Sequence, residues 1–255
     1  MNLLMSRLSG RLARYLSQPG RTGGTAIATD QQKLARCLLP GDVLLVEGTT
    51  RVSTAIKYLT QSTWSHAALY VGDAVGRQTP DGTALCFVEA DIVQGVRAVA
   101  LSSFKGLHCR VCRPVSLTGD EVRQLCDFAV SRLGEQYDMK NVLDLVRYLV
   151  PTPPVPVRWR RRLLSLGSGD PTRAICSTLL AQCFESVRYP ILPRVEQVSA
   201  ENPGSDEVTR EILHVRHYSL YVPRDFDVSP YFQIIKPTLD AGFDHHALAW
   251  DFSRP

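Results

Sequence analysis

The sequence predicts an α+β fold on three observations. Between His66 and Leu101, three apolar runs of strand length, His66 to Gly72, Ala84 to Ala90 and Gly95 to Leu101, alternate with turn-forming clusters at Asp73 to Gly76, Thr79 to Gly82 and Gln94-Gly95. That rhythm is a meander of neighbouring strands. Helical spacing takes over afterwards, from Ser116 to Gly134, where Thr118 suits an N-cap and Val122, Leu125, Phe128, Ala129 and Leu133 fall on one face. A second, strongly apolar helix is predicted in DPTRAICSTLLAQCF, Asp170 to Phe184. Strands followed by helices define the class.

In chain order, Leu4, Leu8, Leu12, Tyr15 and Leu16 recur at spacings of three and four with arginines between them, the pattern of an amphipathic helix. Such a helix can pack on the body of the protein or lie on an anionic membrane surface, apolar face down. Gln18 to Thr29 is rich in Gly and Thr and reads as a linker. Pro40-Gly41-Asp42 makes a turn into a short strand, Val43 to Val46, and Val52, Ile56 and Leu59 mark a helix over Thr50 to Thr60. His108 to Arg113 is a further strand. Val142, Leu145, Val146 and Leu149 predict a helix over Asp138 to Val150, which PTPPVP must end, because proline removes N–H donors and restricts its predecessor. VRWRRRLLSL follows. Its arginines form a solvated face, or, with Trp159 and the leucines, a basic amphipathic surface for lipid head groups. The tail has strand-like pieces in HVRHYSLYVP and YFQIIKP. The chain thus divides into an N-terminal helix and linker (1–35), one main domain (36–200) with a Pro/Arg-rich insertion at 151–169, and a C-terminal extension (201–255) packed on the same domain.

Composition narrows the function classes. At 255 residues and 44% hydrophobic content, the chain buries a core of ordinary size. A net charge of +4, from 29 Lys and Arg against 25 Asp and Glu, is too small to argue for nucleic acid. Seven cysteines without regular spacing point to free thiols in a reducing compartment. No apolar run approaches the ~20 residues of a membrane span, and Arg7, Arg11 and Arg14 interrupt any signal-peptide core. The expected location is cytoplasmic, with peripheral membrane contact through 1–16 and 157–166 if those stretches meet lipid.

Candidate chemistry centres on Cys176, at or near the start of the second helix. Unpaired N–H groups and the positive end of the helix dipole stabilise a thiolate there. The alternative is an ordinary core cysteine beside Ile175, Leu179 and Leu180. Acyl transfer by a thiol needs a base and a group that orients the base. His66 opens the strand-like run WSHAALYVG, and Glu89 is the lone carboxylate of FVEA. In a strand, Glu89 shares a face with Phe87 and opposes Val88 and Ala90, so it needs a polar partner if buried. A histidine would supply one, although a lone imidazole at a sheet edge is also common. Other sets are poorer: Cys109 and Cys112 fall three apart in a strand, on opposite faces. His214 and His217 do likewise, and His245-His246 lacks nearby cysteines, so no metal or other cofactor is expected. Cys183 belongs to the core of its helix. Tyr58 and Tyr137 are candidates for lining a pocket.

The order His, acid, Cys, with the words WSHAALYVG, FVEA and ICSTLL and the flanking PGDVLLV and GEQYD, resembles the circularly permuted papain-like amidases of the NlpC-type superfamily, the YiiX-like group. The resemblance covers roughly Leu39 to Ser186. It implies a permuted papain-like fold in which an antiparallel sheet bearing the histidine packs against the cysteine-bearing helix. By resemblance, Cys176 is the nucleophile, His66 the general base and Glu89 the orienting residue of a cysteine hydrolase working through a thioester. The implied partner is a small-molecule, peptide or lipid acyl substrate. Some relatives cleave peptide-type amides, and others with the permuted order resemble lecithin:retinol acyltransferases that act on lipids. An acyl hydrolase or acyltransferase at a membrane surface, and a papain-like module that binds without turnover, are the alternatives.

Overall fold

A computed structural model describes residue 18, residues 27–91, 94–136, 175–199 and 209–240, and near the C-terminus 242, 244–247 and 249. The expected helices over 1–16 and 138–150, the insertion 151–169 and Tyr137 lie outside the described residues. The chain begins with α1 (Gln31–Cys37), β1 (Val43–Glu47), α2 (Arg51–Thr60), β2 (His66–Tyr70), β3 (Phe87–Asp91), β4 (Gly95–Val99) and β5 (His108–Pro114). It continues through α3 (Gly119–Ser131), α4 (Ile175–Ser186), a hairpin of β6 (Arg194–Ser199) and β7 (Thr209–His214), α5 (Pro223–Val228), β8 (Phe232–Ile235) and α6 (Pro237–Asp240). Six strands form one sheet in the order β4-β3-β2-β1-β5-β8, and every neighbouring pair is antiparallel.

Both faces of this sheet are covered, because its central strands alternate between two apolar cores. Val43, Leu45, Ala67, Leu69, Val88 and Ala90 point to one side, where Leu125 and Ala129 of α3 and Leu179, Leu180, Cys183 and Phe184 of α4 meet them. Leu44, Val46, Ala68, Phe87, Val99 and Val111 point to the other, against Leu34, Cys37 and Leu38 at α1. This is an α+β fold of an antiparallel sheet and a packed cysteine-bearing helix. Phe184 fixes α4 from the far end: it is fully buried, with its ring 5.1 Å from Phe232, 5.6 Å from Tyr189 and 6.0 Å from Phe226. Among the described residues no helix is long and apolar enough to cross a membrane.

Local signals explain most boundaries. The Thr118 side chain accepts from the Glu121 N–H while the Glu121 carboxylate accepts from the Thr118 N–H, a capping box that starts α3. Thr50 caps α2. Asp42 is buried at the head of β1, takes the Leu39 N–H and is gripped at both oxygens by Arg113 of β5, 2.8 Å each. Burial raises its pKa against the pull of Arg113. Asp30, whose carboxylate caps α1 through Gln32 and Lys33, starts a helix in a stretch where the sequence suggested only the end of a linker. Two strand expectations are corrected. Residues 84–86 precede β3, held by an isolated bridge between Gln78 and Ala84. HVRHYSLYVP ends its strand at His214 and continues as a 3-10 turn, Tyr218–Leu220. Pro223 then opens α5, where its missing N–H is no loss.

Candidate active site

The end of β2 where the chain enters the sheet brings four functional groups together. Ser65 and His66 are pinned there from both sides: the Ser65 N–H bonds the Val46 carbonyl, and the Gly48 N–H bonds Ser65 Oγ at 2.9 Å. Trp64, just upstream, is buried, donates from Nε1 to Asp227 at 3.0 Å and stacks on His108 at 5.2 Å. The imidazole of His66 therefore leaves the sheet from a fixed base.

Strand register places its partner. Ala68 pairs with Glu89, so His66 and Glu89 are diagonal neighbours on one face, and the His66 Nε2 to Glu89 Oε2 distance is 2.7 Å. Glu89 is 4% exposed, too buried to leave an ionised carboxylate unsatisfied. Arg97 of β4, paired directly opposite, occupies the other oxygen, with Nε and Nη2 at 2.9 and 2.7 Å from Oε1. Burial works against the charged form of Glu89, but the hydrogen bond and charge of His66, and then Arg97, outweigh it and bring the carboxyl down to about 2.

The helix α4 supplies the thiol. Cys176 lies in the first turn of the described helix and is 5% exposed, and its side chain hydrogen-bonds His66. With Nε2 committed to Glu89, the other ring nitrogen is the one available to sulfur. The β2 backbone contributes as well. The Val71 N–H bonds the Cys86 carbonyl, so odd-numbered N–H groups of β2 point toward β3; strand pairing runs only as far as Ala68, and the next N–H on that side, of Ala67, bonds the Cys176 sulfur. Ser177 Oγ is 4.0 Å away.

The charges follow from these contacts. Burial raises the Cys176 thiol, yet the His66 hydrogen bond and charge, the Ala67 N–H and Ser177 reverse this, and the net shift is downward. Burial likewise opposes an imidazolium at His66, but Cys176 and then Glu89 prevail and push it up to about 10. Other buried thiols behave oppositely: burial pushes Cys126 up to about 11 and both Cys109 and Cys183 up to about 12. The arrangement supports a thiolate–imidazolium pair at one cysteine.

All three residues singled out in the sequence meet here, and Arg97 joins them without having been anticipated. Other candidates fall elsewhere. Cys109 and Cys112 face opposite cores. His214 pairs with Glu196 at 2.7 Å, and His217 bonds Ser219. Tyr58 is 76% exposed and projects into solvent. Asp244, His245 and His246 bring one ligand atom each within 4.8 Å of one another, all exposed.

No curated protein matches the chain. A solved structure, the metalloprotein yiiX from Escherichia coli O157:H7, is similar at 15% identity with a TM-score of 0.43, covering 77% of this chain and 96% of its own. Residues 38–148 match the model of the permuted papain-like amidase enzymes, YaeF/YiiX, C92 family, a stretch that includes His66, Glu89 and Arg97 and ends ahead of Cys176. Over that stretch, less than half of its length, the chain is similar to the permuted papain-like amidase family.

Proposed function

We propose that the protein hydrolyses an acyl amide through Cys176 as nucleophile, His66 as acid–base and Glu89 as the residue that orients and charges the imidazole. The observation that carries this reading is the position of His66, hydrogen-bonded to Cys176 and to Glu89 at once. The Cys176 thiolate attacks the acyl carbon, and the tetrahedral oxyanion is stabilised by N–H groups at the start of α4. Collapse breaks the C–N bond as the His66 imidazolium gives its proton to the departing amine, leaving a thioester. Water, deprotonated by the now neutral imidazole, attacks the thioester. The carboxylic acid departs, and the thiolate–imidazolium pair is restored.

The sequence patterns of 1–16 and 157–166 support peripheral membrane contact, which would bring lipid acyl groups within reach and make transfer an alternative to hydrolysis. Incubation of the full chain with mixed acyl-peptide and phospholipid pools tests both. A thioester-mass adduct on Cys176 that turns over in wild type and is absent from Cys176→Ser is the expected result, and the pool consumed gives the acyl class. No adduct and no turnover with either pool would favour a papain-like module that binds without catalysis.

A further inference from the structure

Arg97 is gripped on several sides. Its Nε and Nη2 reach Glu89 Oε1, its Nη1 donates to Gln94 Oε1 at 2.8 Å, and Nη2 lies 3.7 Å from Asp91 Oδ2. The β3–β4 turn that provides Gln94 is itself held: its N–H bonds Asp91 Oδ1, and Gly95 adopts a φ of +73°. A Cβ at that position would come 2.2 Å from the Glu135 carbonyl oxygen, and the Val96 N–H bonds the same oxygen. The guanidinium is thus held in one place beside Glu89 by three side chains.

Resting on the Cys176–His66–Glu89 reading, we infer that Arg97 is a positioning residue of the site, which holds Glu89 Oε2 toward His66 and cancels the carboxylate charge felt by the thiolate, so setting the lower pH limit of thiolate formation. The groups that face one another are Cys176 from α4, His66 from β2, Glu89 and Asp91 from β3 and Arg97 from β4. Thiolate, imidazolium, Glu89 and Arg97 carry two charges of each sign, while Asp91 sits farther out and partly exposed. Without Arg97, the thiolate would form next to an uncancelled negative charge. It would then form at higher pH, and His66 would also hold its proton to higher pH.

The experiment measures alkylation of Cys176 in the full chain by iodoacetamide from pH 4 to 9, read by peptide mass spectrometry, for wild type, Arg97→Gln and Arg97→Lys. In Arg97→Gln the acidic limb moves up by roughly half to one pH unit, slowing alkylation below the limb about three- to tenfold with little change at the plateau. Arg97→Lys restores the limb. An unmoved limb, a uniform loss at every pH, or a lysine variant that follows the glutamine variant overturns the inference while leaving the catalytic reading intact. Wild-type Cys176 that reacts no faster than Cys109 or Cys183 sinks that reading itself. Arg97→Met, which keeps the aliphatic stem, carries the test should Arg97→Gln fail to fold.

Discussion

Replacing His66 with Phe retains a ring over the thiol, keeps water out and leaves Glu89 paired with Arg97, but removes the cation beside Cys176. The magnitude comes from the protein's other thiols. Cys109 and Cys183, buried as Cys176 is, are pushed up to about 12. A Cys176 brought to that level would be thiolate in only about one part in 10⁵ at pH 7. Intrinsic nucleophilicity rises with basicity by roughly 0.4–0.5 log unit per pKa unit, which returns about two of those decades. The net expectation is a loss of roughly 10²- to 10³-fold in the rate of Cys176 alkylation by dilute iodoacetamide at pH 7, with the variant's fold verified by circular dichroism. A folded His66→Phe protein whose Cys176 reacts within tenfold of wild type would refute the argument, because something other than the imidazolium would then be lowering the thiol.

Stability should depend on pH through the same pair. Glu89, depressed from 4.5 to about 2, contributes stability that is complete above about 4.5 and lost as pH falls through about 2. His66, raised from 6.5 to about 10, contributes stability that is complete below about 6.5 and lost as pH rises through about 10. The stability gap between wild type and Glu89→Gln in urea unfolding is therefore widest between about pH 4.5 and 6.5, on the order of 3 kcal/mol, and narrows on either side. Phe184→Ala empties the aromatic cluster under α4 and costs about 3–5 kcal/mol, read as a lower urea midpoint with an unchanged slope. If 1–16 and 157–166 meet lipid, the full chain sediments with phosphatidylglycerol vesicles at low salt and is released as salt screens the arginines. Failure to sediment removes the membrane element of the proposal.

Much of the sheet was legible because its strands are short apolar runs closed by Gly- and Asp-containing turns. Thr118 as N-cap, with the apolar face from Val122 to Leu133, placed α3 to within a few residues. Glu89 was identifiable from its neighbours, since Val88 and Ala90 belong to one core and Phe87 to the other, leaving one carboxylate inside the apolar word FVEA. Arg97 escaped because an arginine in a half-buried strand looks like an ordinary solvent-facing residue. The signal for it was pairwise: Asp91 opposite Gly95 across the β3–β4 turn puts Glu89 opposite Arg97. The short helices α1 and α5 were missed for a different reason. They consist of one or two turns, depend on Asp30 as N-cap and on Pro223 at the first position respectively, and are too brief to establish a period.

The bond from the Ala67 amide to the Cys176 sulfur has a wider meaning for how such a chain can be built. Imidazole, carboxylate and guanidinium arrive on three successive strands within a single stretch, His66 to Arg97. The nucleophile docks onto that cassette at a free main-chain donor, an attachment point indifferent to whether the helix was synthesised before the strands or after them. What such a helix must do, wherever it stands in the chain, is reach that same open rung.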